Sequence, residues 1–301
     1  MNRGIHWLAA LVIGVGLCQA QQPTDAQIAE IKKLMAGLHY QEGSISLNKG
    51  MARIALTPEF RFLDSKDAET VLVKLWNNPP PQESVLGMLV PARKSVLSDD
   101  AWAVIITYTA DGYVKDDEAA SINYDDLLKQ MKDATKEANP ERIKNGYKTI
   151  DLVGWAAPPR YDKQTHKMYW AKEIKFGDAT ENTLNYNIRM LGRRGVLVLN
   201  AVADMKQLPA IQTSAPALLS MVDFCEGHRY VDFDSKTDAV ATYGLAALVA
   251  GGVAAKMGFF KVIWVALLAA KKFVLLAIVA IGGWLSKLFG KKKSSASQDA
   301  A

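Results

Sequence analysis

The chain has 301 residues, half of them hydrophobic, and a formal net charge of +5. Its length allows one or two domains. The positive balance argues for nucleic acid only until it is divided along the chain. Between Gln21 and Asp238 there are 27 Lys and Arg against 30 Asp and Glu, whereas eight lysines and a single acid, Asp299, follow Asp238. No basic stripe is left in the middle to follow a phosphate backbone, so nucleic acid is not an expected partner.

At the N-terminus, Arg3, the apolar stretch Trp7–Leu17 and the small-residue exit Gln19-Ala20 have the pattern of a secretory signal peptide over residues 1–20. Cys18 follows Leu17 rather than a small residue, which argues against lipidation there. Cleavage after Ala20 leaves Cys225 alone, so no internal disulfide is expected.

Thr24-x-x-Gln27 is a capping box, followed by Ile28, Ile31, Met35 and Leu38 on one helical face. Ile45 and Leu47, the turn residues Asn48-Lys49-Gly50, and Ala52, Ile54 and Leu56 predict a hairpin. Asp64 or Ser65 caps a helix whose Ala68, Val71, Leu72, Leu75 and Trp76 form an apolar stripe, ended by Pro79-Pro80-Pro81. Val85–Val90 and Ala101–Thr109 read as strands, the second with Trp102, Val104, Ile106 and Tyr108 on one face. A helix is expected from Asn123 to Ala138, its Leu127, Leu128, Met131, Ala134 and Ala138 inward, broken at Asn139-Pro140. Tyr147–Trp155 should be extended and end at Pro158-Pro159. Met168–Ala203 carries the clearest β signal: three strands joined by Gly177-Asp178 and Gly192-Arg193-Arg194-Gly195, the last strand apolar on both faces. Pro209 and Pro216 flank a final helix, and Glu226–Asp238 reads as a connector. Strands in runs with a few helices predict an α+β domain over residues 21–238, an antiparallel sheet with packed helices.

From Ala239 to Phe289 the chain is apolar, interrupted only by lysines. A bilayer core takes roughly 20 apolar helical residues, and Ala239 to about Phe260 meets that length. Residues 239–290 are therefore expected to form a membrane anchor, with transmembrane or interfacial helices, and 291–301 a basic polar tail. Gly244, Ala247, Gly251 and Ala255 fall at the small-residue spacing that lets helices approach closely in lipid. Lys291, Lys292 and Lys293 form a basic flank of the kind found on the cytoplasmic side.

Short motifs for chemistry are weak. Cys225-x-x-His228 is half a zinc site, with His39 and His166 the only further Cys or His side chains to complete it; the simpler reading is a small thiol at a helix end. Ser46-x-x-Lys49 matches a nucleophile–base pair, but lies on a hairpin rather than a helix start. Asp111, Asp116, Asp117, Glu118, Asp125 and Asp126 lack a calcium-loop spacing and read as a solvated acidic face. Arg193-Arg194 reads as a solvent-facing hairpin tip, and Tyr161, Asp162 and His166 as an acid–base group without a fixed partner. No cofactor is expected.

Val85-Leu86-Gly87-Met88-Leu89-Val90-Pro91, Asp111-Gly112-Tyr113-Val114, Leu152-Val153-Gly154-Trp155 and Tyr169-Trp170-Ala171-Lys172 carry a resemblance. Leu184-Asn185-Tyr186-Asn187, Leu191-Gly192-Arg193-Arg194-Gly195-Val196-Leu197 and Tyr243-Gly244-Leu245-Ala246-Ala247 continue it. Together they resemble the bacterial membrane-anchored family known as domain of unknown function 2167. The resemblance implies an extracytoplasmic domain with a C-terminal anchor and brings no catalytic residue. The order of elements is more loosely similar to PsbP-type sandwiches. The expected function is a binding or interaction module in the periplasm, held at the bacterial inner membrane and meeting lipid and an envelope protein partner. The competing expectation is an envelope hydrolase or metal-dependent enzyme.

Overall fold

A computed structural model describes residues 24–78, 80–81, 83–98 and 100–251. They belong to one compact unit; a second unit, Ala254–Ala301, lies outside the described residues, as do residues 1–20, where a signal peptide is expected, Ala255 and the lysines Lys291–Lys293. Helix α1 (Asp25–Ala36) opens on the Thr24–Gln27 capping box. Its Ile28 and Ile31 stay exposed, and only Met35 and the following Leu38 reach a core. Strands β1 (Ser44–Leu47) and β2 (Ala52–Ala55) form the expected hairpin, turning through Asn48 and Lys49 at positive φ. Strand β3 (Phe60–Asp64) leads into α2 (Ser65–Glu69), capped by Asp64 and continued as a π-helical turn over Thr70–Leu75.

Strands β4 (Val85–Pro91), β5 (Ala103–Thr109), β6 (Ile150–Asp162), β7 (Lys167–Phe176), β8 (Thr183–Leu191) and β9 (Val196–Asp204) join β3 in a seven-stranded antiparallel sheet of order β3-β4-β5-β9-β8-β7-β6. Helix α3 (Tyr124–Lys144) lies between β5 and β6 in the chain, and α4 (Leu208–Met221) and β10 (Val222–Phe224) follow β9. Strand β10 pairs with β2 to make a second, three-stranded sheet. A six-residue helix, α5 (Leu245–Ala250), ends the described chain.

Period-2 alternation sends successive side chains to opposite faces of the large sheet. Trp102 just before β5, Val104 and Ile106 of β5, Leu184, Tyr186, Ile188 and Met190 of β8, and Leu197 and Leu199 of β9 share one face. They pack against Ile45, Leu47 and Ile54 of the small sheet and Ile211, Leu218 and Met221 of α4. The opposite face carries two separate apolar clusters. Met168, Trp170, Ile174 and Phe176 of β7 meet Met131 of α3 and Leu245, Leu248 and Val249 around α5. Ala103, Ile105 and Val202 meet Ala68, Val71 and Leu72 of the α2 region. The result is an α+β fold of antiparallel sheets with a few helices. Central β9 is covered on both faces, as its composition implies.

Five readings of local pattern need correction. Helix α3 runs unbroken through Pro140, held to β6 beyond the missing N–H: the Asn139 carboxamide bonds both the N–H and C=O of Ile150, and Arg142 Nε donates to the Lys148 carbonyl. Ala134 on that helix is exposed, not core. Strand β6 continues through Pro158-Pro159 because it is an edge strand with register shifts there, where an absent N–H breaks no ladder. Pro216 lies inside α4, and Cys225 follows β10 rather than a helix.

The expected domain boundary at Asp238 also moves. Residues 239–251 are built into the fold: Tyr113 N donates to Ala239 O at 2.9 Å, Ala241 N donates to Tyr113 O at 2.8 Å, and Leu245 and Val249 are buried. Gly244 caps α5 and Ala247 sits within it, both partly buried in this domain. A span beginning at Ala239 is therefore not what these residues form. Among the described residues no helix is long and apolar enough to cross a membrane.

Candidate functional site

The segment from Cys225 to Gly251 is a strap that returns over the loop ends of the large sheet before the chain enters its apolar run. Its first anchor is the Gly192–Gly195 turn between β8 and β9. Gly192 N donates to Gly195 O at 2.8 Å, and a Cβ at position 195 would overlap the Thr109 carbonyl oxygen, so this turn sits flush against β5. Arg193 N donates to His228 O at 2.9 Å, and Gly192 bridges to Arg229. Arg193 and Arg194 are not a free tip: their Nε atoms donate to the two oxygens of Asp238 at 2.6 and 2.7 Å. The Asp238 side chain has no solvent exposure. Hydrogen bonds from Arg193, then from the Asp234 amide and Arg194, hold its carboxyl far below the usual carboxylate range against the opposing effect of burial.

The second anchor is aromatic. His166, Tyr230, Tyr113 and Phe233 stack in sequence, with ring centroids 4.1, 4.3 and 3.9 Å apart. Behind the stack Tyr161 Oη donates to Asp116 Oδ2 at 2.7 Å and lies 3.1 Å from His166 Nδ1. A phenol has one proton, so the second bond requires Nδ1 to be the protonated nitrogen of the imidazole. Tyr230 Oη lies 3.0 Å from the Val114 carbonyl and 3.1 Å from Asp116 Oδ1. Burial, reinforced by the Asp116 carboxylate, pushes both phenols well above their ordinary value. Asp116 thus replaces Asp162 in the group read from sequence; Asp162 instead accepts from Gln164 N and Thr165 Oγ1 in the β6–β7 turn. Through Tyr161 and Tyr230, both bonded to Asp116, the arrangement joins the strap to the β6–β7 end of the sheet.

The acidic stretch is tied down in part. Asp111 accepts from Tyr243 Oη at 2.7 Å, Glu118 accepts from Ala246 N at 3.0 Å, and Asp126 N and Asp125 N are capped by Asn123. Asp111, Asp116 and Glu118 thus help to fasten the strap or the joint, while Asp117, Glu118, Asp125 and Asp126 keep the exposure expected of a solvated face. Cys225 is partly buried and lines a shallow cavity of about 290 Å³ with Arg53, Asp223 and Glu226. His228 turns back to donate its N–H to Cys225 O. His39 pairs with Asp67 and His166 with Tyr161, so neither joins Cys225 and His228, and among the described residues no three His, Cys, Asp or Glu side chains converge. Ser46 and Lys49 sit on strand and turn of the first hairpin, as their alternation implied.

One polar group went unread in the sequence. Asn185, Asn187 and Arg189 alternate along β8 on the face between the two apolar clusters, with Lys172 beside Asn185 on β7 and Asn200 beside Asn187 on β9. Periodicity marks the apolar face of β8 and assigns nothing to these alternate positions.

Among solved structures, the fold is similar to cyanobacterial PsbP (CyanoP) from Synechocystis sp. PCC 6803, at 12% identity over 62% of this chain and 92% of that chain, with a TM-score of 0.34. It is also similar to the Ran-binding protein Mog1p of Saccharomyces cerevisiae, at 12% identity over 60% of this chain and 84% of that one, with a TM-score of 0.28. Neither score is high enough to carry an argument. No curated protein matches the chain. Residues 39–282, which span the sheet, the joint and the strap, match the family described as "Protein of unknown function (DUF2167)", and the chain belongs to that family.

Proposed function

We propose that the protein is a membrane-tethered binding module whose folded domain faces the periplasm, where it meets an envelope protein or another envelope component. The observation that carries this reading is the strap. It is fastened to the domain through Asp238, Tyr230 and Tyr243 up to α5, and the apolar run resumes at Gly252 with no polar linker. From Gly252 to Phe289 the only charged residues are Lys256, Lys261, Lys271, Lys272 and Lys287. Lysines of this kind snorkel toward head groups, and the Lys291–Lys293 tail belongs on the cytoplasmic side. We place one crossing within the apolar run that follows Gly251, which leaves Lys291–Lys293 inside. Against a hydrolase, Asp116, Tyr161 and His166 are occupied with one another.

The test is fractionation with a topology reporter. The full chain should resist carbonate extraction, a chain stopped after Gly251 should be released as soluble periplasmic protein, and a reporter fused after Ala301 should be active only in the cytoplasm. Recovery of the full chain in a soluble fraction overturns the tether. A fusion active in the periplasm overturns the single crossing.

A further inference from the structure

We propose that the polar row on the helix-covered face of the large sheet is a binding site for a small oxyanion, a carboxylate or a phosphate group. The row lies between the cluster under α3 and α5 and the cluster under the α2 region. Its hydrogen bonds run in one direction. Arg189 Nη2 donates to Asn187 Oδ1 at 3.2 Å, Asn187 Nδ2 to Asn185 Oδ1 at 2.6 Å, and Asn185 Nδ2 to Asn200 Oδ1 at 2.9 Å. Asn187 Nδ2 also donates to Asn185 O at 3.1 Å and Arg189 Nη1 to Ile188 O at 3.2 Å, so every carboxamide oxygen in the row accepts a bond and the donors left over lie on Asn185, Asn200, Lys172 and Arg189.

Those donors are charged or buried. Lys172 Nζ makes no hydrogen bond or ion pair among the described residues, and no carboxylate lies within 4 Å of the Arg189 guanidinium. The guanidinium is laid over the Trp170 ring, 5.1 Å from its centroid. Trp170 is 1% exposed, and its Nε1–H has no partner. Native folds rarely leave a buried donor unpaired, and each such group costs about 1–3 kcal/mol. The acid whose charge reaches Arg189, Glu83, is exposed and bonded to Thr107 Oγ1. Two neighbouring cations, an unpaired indole N–H and amide donors on one sheet face are complementary to an oxyanion, which accepts several charge-assisted bonds at once. Lys172 and Arg189 are partly buried between the two apolar clusters, which strengthens each of those bonds relative to open solvent.

The experiment uses the full chain in phosphatidylcholine nanodiscs with 15N-labelled tryptophan, the Trp170 indole resonance being assigned by its loss in Trp170→Phe. Inorganic phosphate and acetate are titrated separately, and discs containing phosphatidylglycerol supply the same chemistry as a lipid head group. The expected result is a saturable shift of the Trp170 indole N–H with one of the three, weakened at least tenfold in both Lys172→Met and Arg189→Gln. Saturation by a soluble anion identifies a solute, and a shift only with phosphatidylglycerol identifies a lipid. No saturable shift with any of them, or equal shifts in the variants, overturns the site. Should either variant fail to fold, Lys172→Gln and Arg189→Lys give the same reading. Failure here leaves the membrane fractionation unchanged, so the two proposals fall separately.

Discussion

The strap and the polar row both gather charged side chains at partly buried positions, yet they are put together in opposite ways. In the strap two cations, Arg193 and Arg194, converge on one buried carboxylate, and both oxygens of Asp238 are bonded. Asp116 likewise has both oxygens occupied, by Tyr161 and Tyr230. On the sheet face two cations, Lys172 and Arg189, neighbour each other, and Trp170 Nε1 has no acceptor. Removing a charge from water is costly unless a partner compensates it. The first region therefore contributes to the fold, while the second detracts from it until something else binds.

The comparison breaks most visibly at Asp238. In Asp238→Ala two arginines lose their shared acceptor and the strap loses the residue that also accepts from Asp234 N at 2.9 Å. Tm should fall by roughly 5 °C or more, since breaking a buried ion pair leaves uncompensated charge. Asp238→Asn should fall less. The sign with pH follows from a folded carboxyl held below its ordinary value. Its contribution is fully present above about pH 4, where the unfolded carboxyl is ionised, and is lost as pH falls through the depressed folded value. Thermal melts from pH 6 down to pH 2 should show the difference between wild type and Asp238→Asn closing. Equal Tm values at pH 6 would show that the arginines do not depend on Asp238.

A smaller effect is expected at Tyr230→Phe, which keeps the His166–Tyr230–Tyr113 stack and removes only the hydroxyl. Val114 O and Asp116 Oδ1 each lose a neighbour at about hydrogen-bond distance, so stability should fall by about 1–2 kcal/mol in chemical denaturation. A loss as large as that of Tyr230→Ala would mean that the hydroxyl, and not the stacked ring, carries the joint.

These two regions also mark where sequence reading reached and where it stopped. Alternation alone placed Leu184, Tyr186, Ile188 and Met190 on one face, and the structure packs them together against the small sheet and α4. Periodicity is a local property, so it survives being read one strand at a time. The Asp238 clamp is not local: its arginines sit in a turn 44 and 45 positions earlier, and a Gly-Arg-Arg-Gly turn looks the same with or without a buried partner. The apolar run misled for a related reason. Leu245, Leu248 and Val249 have the composition of a membrane helix, but Gly244, Gly251 and the contacts to Tyr113 and Glu118 make them the lid of a core. Asn185, Asn187 and Arg189 look, by composition alone, like the wet side of a strand. The signal against that was next door: β9 is apolar on both faces, and a strand hydrogen-bonded to it is covered on both faces too.

The polar row supplies the smallest effect and the sharpest contrast, because a truncation there should stabilise. Burial, and then the neighbouring Arg189 charge, lower the Lys172 pKa to about 8 from an ordinary value of 10.5. A lysine depressed in the fold binds its proton more weakly there than in the unfolded chain. Below pH 8 it is charged in both states, and the fold bears the whole cost of that charge. As pH rises from about 8 towards 10.5 the folded lysine loses its proton before the unfolded one does, so the cost is lifted and stability rises. Lys172→Met removes the charge at every pH and keeps most of the side-chain volume. It should therefore raise Tm by about 2 °C at pH 7, with the gain shrinking to nothing as pH approaches 10. Trp170→Phe, which removes the unpaired indole N–H, should be close to neutral for the same reason. Paired melts of wild type and Lys172→Met at pH 7, 8.5 and 9.5, without added anion, check the sign. A variant less stable than wild type at pH 7 would mean that Lys172 has a partner within the fold, and the contrast between the closed strap and the open row would be lost.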